Sequence, residues 1–350
     1  MEHNLNFYAL QVGYSMSVEY LTNGDYYPES AWGSEGQIYP SLMGNALLEL
    51  YKIHNEEIFL NAVKAIIAKN TEKQMNSGGW ALALGATANG TKFKVTPDII
   101  QITASCEDLP PTVTALRLLA DYQTYTGDVS NIVSLERGYE YLTKFWNEKE
   151  GIFDEMLTGD ALKLRAKPKN YQIYAYQCIK SISRINPNAK KFLKPLYQTI
   201  KKVFEEMDAD TYPLLYALYA VLIIQEEGDS DYVRSEVKKR IIDEITIGSR
   251  FRIPNFPGAI GHRDGIRGIC LKEGHLRNAV GVALVMKFYD LYVEPNSFLQ
   301  SDFYGDVETW ILQMYENGKF FEFTDLITNE KQGLGTPGQY LPIIWILCKI

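Results

Sequence analysis

Thr211-Tyr-Pro-Leu-Leu-Tyr-Ala-Leu-Tyr-Ala-Val-Leu-Ile-Ile-Gln-Glu226 is apolar on nearly every side. A helix of that composition has to be buried over most of its surface. The stretch after it, residues 231–245, keeps helical spacing but carries a charged face, so it is expected to lie outside. The same alternation recurs along the chain. Residues 40–54, 110–126, 170–185, 274–293 and 338–350 read as further inner helices, and 4–21, 56–73, 129–147, 189–207 and 298–317 as their outer counterparts. Links from inner to outer helices are short, as at Gly127-Asp128. Most links from outer to inner helices are long: 22–39, 74–109, 148–169, 246–273 and 318–337. Loop mass therefore gathers at one end. Six such pairs with a spacing of roughly 50–60 residues form an internal repeat, and the fold expected is all-α, an (α/α)6 toroid of six inner and six outer helices. The inner helices would begin at the loop-rich end, where their unsatisfied N–H groups favour an anion.

The bulk composition agrees with one domain over residues 1–350. The chain is 46% hydrophobic and 22% charged, with no linker-like or low-complexity stretch. A net charge of −8 argues against nucleic acid as a partner. The first 20 residues lack the basic and apolar regions of a secretory signal, and the longest apolar run, 341–348, is too short to span a bilayer. Peripheral membrane contact stays open. The four cysteines, Cys106, Cys178, Cys270 and Cys348, are scattered without a Cys-x-x-Cys pair, which points to reduced thiols in a cytoplasmic protein.

Four groups of residues are candidates for chemistry. Asp208-Ala-Asp210-Thr211 sits at the only tight outer-to-inner turn. It reads either as a helix cap or as a carboxylic acid kept protonated by a paired carboxylate. Gly261-His262-Arg263-Asp264-Gly265 with Arg267, Glu273, His275 and Arg277 concentrates two of the four histidines among arginines and carboxylates. Such a cluster suits an anionic substrate, with His262 or His275 as acid or base. His262, His275 and Cys270 match no zinc spacing, so no metal is expected. Lys163, Arg165, Lys167 and Lys169 could capture phosphate charge. Aromatic residues are abundant, with 24 Tyr, 15 Phe and 5 Trp. Tyr171, Tyr174, Tyr176, Tyr212, Tyr216 and Tyr219 on inner helices, and Trp32, Trp80, Phe256 and Tyr340 in or beside loops, are either core or the lining of a cavity.

Asp208-x-Asp210-Thr211 ahead of an apolar helix resembles the acid motif of class II terpene cyclases, the squalene–hopene cyclase type. Lys64-Ala-Ile-Ile67 with Gln74 and Gly78-Gly79-Trp80, and Arg137-Gly138-Tyr139 through Phe145-Trp146 to Gly151-Ile152-Phe153, are similar to their Gln-Trp repeats. Gly333-Leu-Gly-Thr-Pro-Gly-Gln-Tyr340 is similar to the stretch leading into their last inner helix. The resemblance implies a protonation-initiated isoprenoid cyclase acting on a prenyl diphosphate or polyprene in an aromatic cavity. Asp210 would be the acid, with Asp208 or Thr211 orienting it. Glu107 or Asp108 in Cys106-Glu-Asp-Leu-Pro-Pro-Thr112 would replace Asp210 if the acid opens the second inner helix instead. No cofactor is implied beyond the Mg2+ that a diphosphate would bring. Two other readings stand beside it. One is a carbohydrate-active enzyme (hydrolase, lyase or uronyl epimerase) on an acidic glycan, using Glu107, Asp108, His262 and Asp264, with Arg263 and Arg277 holding a uronate. The other is a non-catalytic helical-repeat binding protein.

Overall fold

The computed structural model describes residues 5–24, 38–80, 109–154, 171–207, 213–264, 268–334 and 343–344. Asp208, Asp210, Thr211, Tyr212, Trp32, Glu107, Asp108, Lys167, Lys169 and Tyr340 lie outside them, as does most of the twelfth helix expected at 338–350. The chain divides into two compact units, residues 13–200 and residues 1–12 with 201–350. The described helices are α1 (Leu5–Asn23), α2 (Ile38–His54), α3 (Glu57–Glu72), α4 (Leu109–Thr126), α5 (Ile132–Thr143), α6 (Gln172–Ile182), α7 (Lys190–Glu206) and α8 (Pro213–Glu227). They continue with α9, then α10 (Leu276–Tyr292) and α11 (Asp302–Gln313). Helix α9 consists of two π-helical turns, Val233–Val237 and Ile241–Ile245, on either side of the α turn Lys238–Arg240.

In the first unit the inner helices α2, α4 and α6 pack side by side, with α3 against α2 and α5 against α4. Leu109 to Leu116 of α4 are all buried. On α3 only the face with Phe59, Val63, Ile66 and Ile67 is buried. Short inner-to-outer links turn on residues in the left-handed region: Asn55 (φ 56°) after α2 and Gly127 (φ 72°) after α4. Each donates its N–H back to the fourth carbonyl before it, Tyr51 O at 2.7 Å and Gln123 O at 2.9 Å. This closes the orphan carbonyls at the helix end, a role suited to Asn and Gly.

The segments similar to Gln-Trp repeats turn out to be braces. Trp80 is fully buried, its indole N–H donates to Asn70 O at 2.9 Å, and its backbone N–H donates to Thr112 Oγ1 at 3.2 Å. Trp80 is therefore core, not the substrate lining expected of it. Trp146 belongs to a two-stranded hairpin, β1 (Trp146–Asn147) with β2 (Ile152–Phe153), and packs on Phe153 and Phe192 at 5.0 Å between ring centroids. Gln172, at the start of α6, holds both backbone polar groups of Phe153.

In the second unit α8 and α10 are the buried pair. They approach so closely that a Cβ on Gly281 would stand 2.7 Å from the Leu214 Cα. Helix α11 flanks α10. Ahead of α10 and after α11 the chain forms strands that helical periodicity missed. They are β3 (His262–Asp264), β4 (Gly268–Cys270), β5 (Glu273–His275), β6 (Tyr315–Glu316), β7 (Lys319–Asp325) and β8 (Glu330–Leu334). Strand β7 pairs antiparallel with β5, β6 and β8, and β3 pairs antiparallel with β4.

Candidate functional site

The polar cluster around His262 is held by strand pairing immediately before α10. Register places His262 directly opposite Cys270, and His275 opposite Phe323 of β7. Glu273 and His275 are two apart on β5, so both leave the strand on one side. The backbone N–H of His275 donates to Ile260 O at 2.7 Å, and the Asn278 carboxamide, fully buried on the first turn of α10, donates to Gly261 O at 2.8 Å. These two bonds fix β5 and the residue before β3 to one another.

The imidazoles of His262 and His275 lie 4.0 Å apart between ring centroids with planes 35° apart. Phe323 stacks on the far side of His275 at 5.3 Å and 13°. The Glu273 carboxylate reaches both rings: Oε2 is 3.4 Å from His275 Nε2 and 3.9 Å from His262 Nδ1. Cys270 joins the group, with a ligand atom each from His262, Cys270 and Glu273 lying within 4.8 Å of one another. Its thiol is free.

His275 is only 5% exposed, and burial, then the neighbouring His262 and Arg277, push its pKa down to about 3. The ring is thus neutral at any physiological pH, and its Nδ1 has no hydrogen-bond partner among the described residues. A buried polar atom left so costs about 1–3 kcal/mol, and a catalytic role is one reason for keeping it. His275 also occupies the N-cap position of α10 without its side chain making the cap bond. The ring is free for another role, beside the positive end of the helix dipole.

Of the residues singled out in the sequence, the structure brings His262 and His275 together. Arg277 stands 3.8 Å from Glu322, so an acidic sugar gripped by Arg277 would have to displace that carboxylate. Arg263 and Asp264 belong to β3, and only their backbone is described. Phe256 is 39% exposed in the loop ahead of β3. Tyr171 and Tyr174 stack on each other at 6.3 Å, in the other compact unit. Tyr216 is 2% exposed, with its ring 4.9 Å from Phe204 of α7 and its hydroxyl 3.4 Å from the Arg240 guanidinium. It packs against outer helices. Sequence reasoning counted Glu273 in the cluster and weighed Cys270 as a ligand without giving either a role, and it missed Glu322 and Phe323. The signal for β7 was present in Asn317-Gly318, a hairpin-turn dipeptide followed by a run with aromatic residues.

No family model matches the sequence, and no curated protein is similar to it in sequence. Solved structures are similar to it along its whole length. A D-mannose isomerase superposes with a TM-score of 0.71 at 11% identity, over 100% of this chain and 98% of its own. The cellobiose 2-epimerase of Spirochaeta thermophila gives 0.66 at 10% identity, over 97% and 98%. An α-1,6-mannanase from Salegentibacter sp. gives 0.61 at 10% identity, over 99% and 98%.

The chain has the (α/α)6 toroid fold. The expectation of helices alone is amended by the small sheets. The isoprenoid-cyclase reading, with its enzyme class, is overturned: the solved structures named above, similar end to end, are a sugar isomerase, a sugar epimerase and a mannanase, not terpene cyclases. Its Gln-Trp signal is a packing device, since Trp80 and Trp146 are consumed in internal contacts. No described helix is long and apolar enough to cross a membrane.

Proposed function

We propose that this chain is a carbohydrate-active enzyme of the proton-transfer kind, an isomerase or epimerase of a small sugar, working at the His262–Glu273–His275 cluster. The observation that carries the reading is the paired imidazoles with one carboxylate between them. Aldose–ketose isomerisation and epimerisation beside a carbonyl share one step, removal of a proton from the carbon next to C=O and its return elsewhere. A neutral imidazole can take that proton, provided a nearby carboxylate offsets the cost of charging a ring so buried. His275 takes the C2 proton of the open-chain sugar, leaving an enediolate with its negative charge on O1. The imidazolium exchanges its proton with solvent and delivers one to C1 while the O2 proton moves to O1, giving the ketose, or to C2 once the intermediate has turned its other face to the ring, giving the epimer. Glu273 stabilises the imidazolium formed in between. Phe323 holds the ring in one plane and offers an apolar wall.

The likeness to a sugar isomerase and a sugar epimerase supports the substrate class. The related mannanase has been crystallised with bound mannotriose and mannotetrose, and a short oligosaccharide is the larger substrate we would accommodate. Free thiols at Cys178 and Cys270 support a cytoplasmic setting.

The test is proton NMR in D2O with mannose, glucose, cellobiose and glucuronate. Deuterium should enter at C1 of a ketose product or at C2 of an epimer with the wild type, and at neither with a folded His275→Asn variant. No exchange with any of these sugars, or exchange at the wild-type rate in His275→Asn, overturns the reading.

A further inference from the structure

We propose that His262, Cys270 and Glu273 form a binding site for one divalent transition-metal ion of the zinc class, with a fourth coordination position left open beside His275. The inference stands apart from the sugar reading, because the ion is detected with no sugar present.

Three observations carry it. First, the three donors converge: one ligand atom from each lies within 4.8 Å of the other two. Zinc bonded at its usual lengths to N, O and S in a tetrahedron needs donors about 3.3–3.8 Å apart, so closure asks for a movement of about 1 Å at most, within reach of side-chain rotation. Second, the donors sit on a rigid frame. Strand register sets His262 opposite Cys270, β5 is anchored by the bond from His275 N–H to Ile260 O, and Gly261, just before β3, is tied to α10 by the bond from Asn278. Third, all three are half-buried, neither sealed in the core nor fully in solvent. An ion can enter and a substrate oxygen can reach it.

The donor set selects the ion. Thiolate with imidazole and one carboxylate favours Zn2+, Co2+ or Fe2+ over Mg2+ and Ca2+, which prefer oxygen. Three protein donors with a vacant fourth position is the pattern of catalytic zinc, whereas structural zinc takes four. The sequence hid this arrangement because its spacing, eight residues from His262 to Cys270 and three more to Glu273, matches no zinc signature. Strand pairing brings the donors together.

The experiment uses the full chain, stripped with chelator and titrated with Co2+ and, by calorimetry, with Zn2+. The expected result is one ion per chain, with a thiolate-to-cobalt charge-transfer band and the visible bands of tetrahedral Co2+. Cys270→Ser should abolish the charge-transfer band and weaken binding at least tenfold, while Cys178→Ser, changed at the buried thiol, keeps both. Glu273→Gln provides a second variant should Cys270→Ser fail to fold, and it too should bind at least tenfold more weakly. Two results overturn the site. One is a stoichiometry below one, with Kd weaker than about 0.1 mM, an affinity of roughly 5–6 kcal/mol. The other is an unchanged band and affinity in Cys270→Ser or, if that variant does not fold, unchanged affinity in Glu273→Gln.

Discussion

The carboxamide of Gln74 grips Ser134 twice: its Oε1 accepts from the Ser134 hydroxyl at 2.7 Å, and its Nε2 donates to the Ser134 carbonyl at 2.9 Å. Nε2 also donates to Gly78 O at 2.8 Å, so one side chain ties the turn after α3 to the start of α5. Replacing Gln74 with Ala leaves partly buried groups unpaired, which costs about 1–3 kcal/mol. The midpoint of thermal unfolding should fall accordingly, while turnover per folded molecule stays as in wild type. An unchanged midpoint would show that the brace contributes nothing.

Gly274 separates Glu273 from His275, and a Cβ there would stand 2.6 Å from Trp310 Cζ2 and 3.3 Å from the Ala259 Cβ. Gly274→Ala therefore overpacks β5 against α11, at about 1–3 kcal/mol. It also displaces both neighbouring side chains, so activity should drop more than stability does. Combining it with Trp310→Leu relieves the contact and should restore part of the activity, read as kcat on the sugar found active. Equal effects of Gly274→Ala in the two backgrounds would refute this.

Phe323 faces His275 across the β5–β7 pairing. Phe323→Leu keeps an apolar contact but removes the flat surface that fixes the ring. Loss of alignment on the order of 1 Å can reduce rates by up to ~100-fold, so kcat should fall at least several-fold with little change in circular dichroism. Wild-type kcat in this variant would remove Phe323 from the site.

The Tyr122 hydroxyl donates to Asp128 Oδ2 at 2.8 Å, at the end of α4. Hydrogen bonds from the Ser130 backbone, then from its side chain and from Tyr122, lower the Asp128 pKa below 3.8. This contribution to stability is present above 3.8 and is lost as pH falls through the lower, folded value. Burial first, then the bond to Asp128, raises the Tyr122 pKa from 10.0 to about 12. That contribution is complete below pH 10 and is lost as pH rises toward 12. Tyr122→Phe should flatten the alkaline limb of stability measured by urea midpoint, and Asp128→Asn the acid limb. Profiles superimposing on wild type would sink the assignment.

The inner and outer helices were legible because burial writes itself into composition. Residues 211–226 and 274–293 are apolar all round, and α8 and α10 are buried where they stand. The strands were not legible, because their partners are remote. Residue 273 read as the end of a loop and 274–275 as the opening of a helix, yet all three pair with 323–325. Residues 298–317 read as one helix, but α11 ends at Gln313 and Asn317-Gly318, at φ 51° and 83°, turns the chain into β7. At the site, the density of His, Arg and carboxylates between 261 and 277 was visible. The role of Glu273 depends on where two rings point, and that of Cys270 on strand register, neither of which spacing encodes. The Asp-x-Asp-Thr stretch drew attention toward acid chemistry because capping residues and catalytic acids share one alphabet.

Strand β7 follows α11 in the chain, yet it supplies the wall on which His275 rests. During synthesis, α8 and α10 emerge and can pair before residues 319–325 leave the ribosome, and domains build from their N-terminal side at about 5–20 residues per second. A nascent chain halted at Gln313 would thus carry both histidines on the strands ahead of α10 while lacking the surface that orients His275. Competence for turnover should arrive in a single late step, when the hairpin after Asn317 folds back and zips onto Glu273.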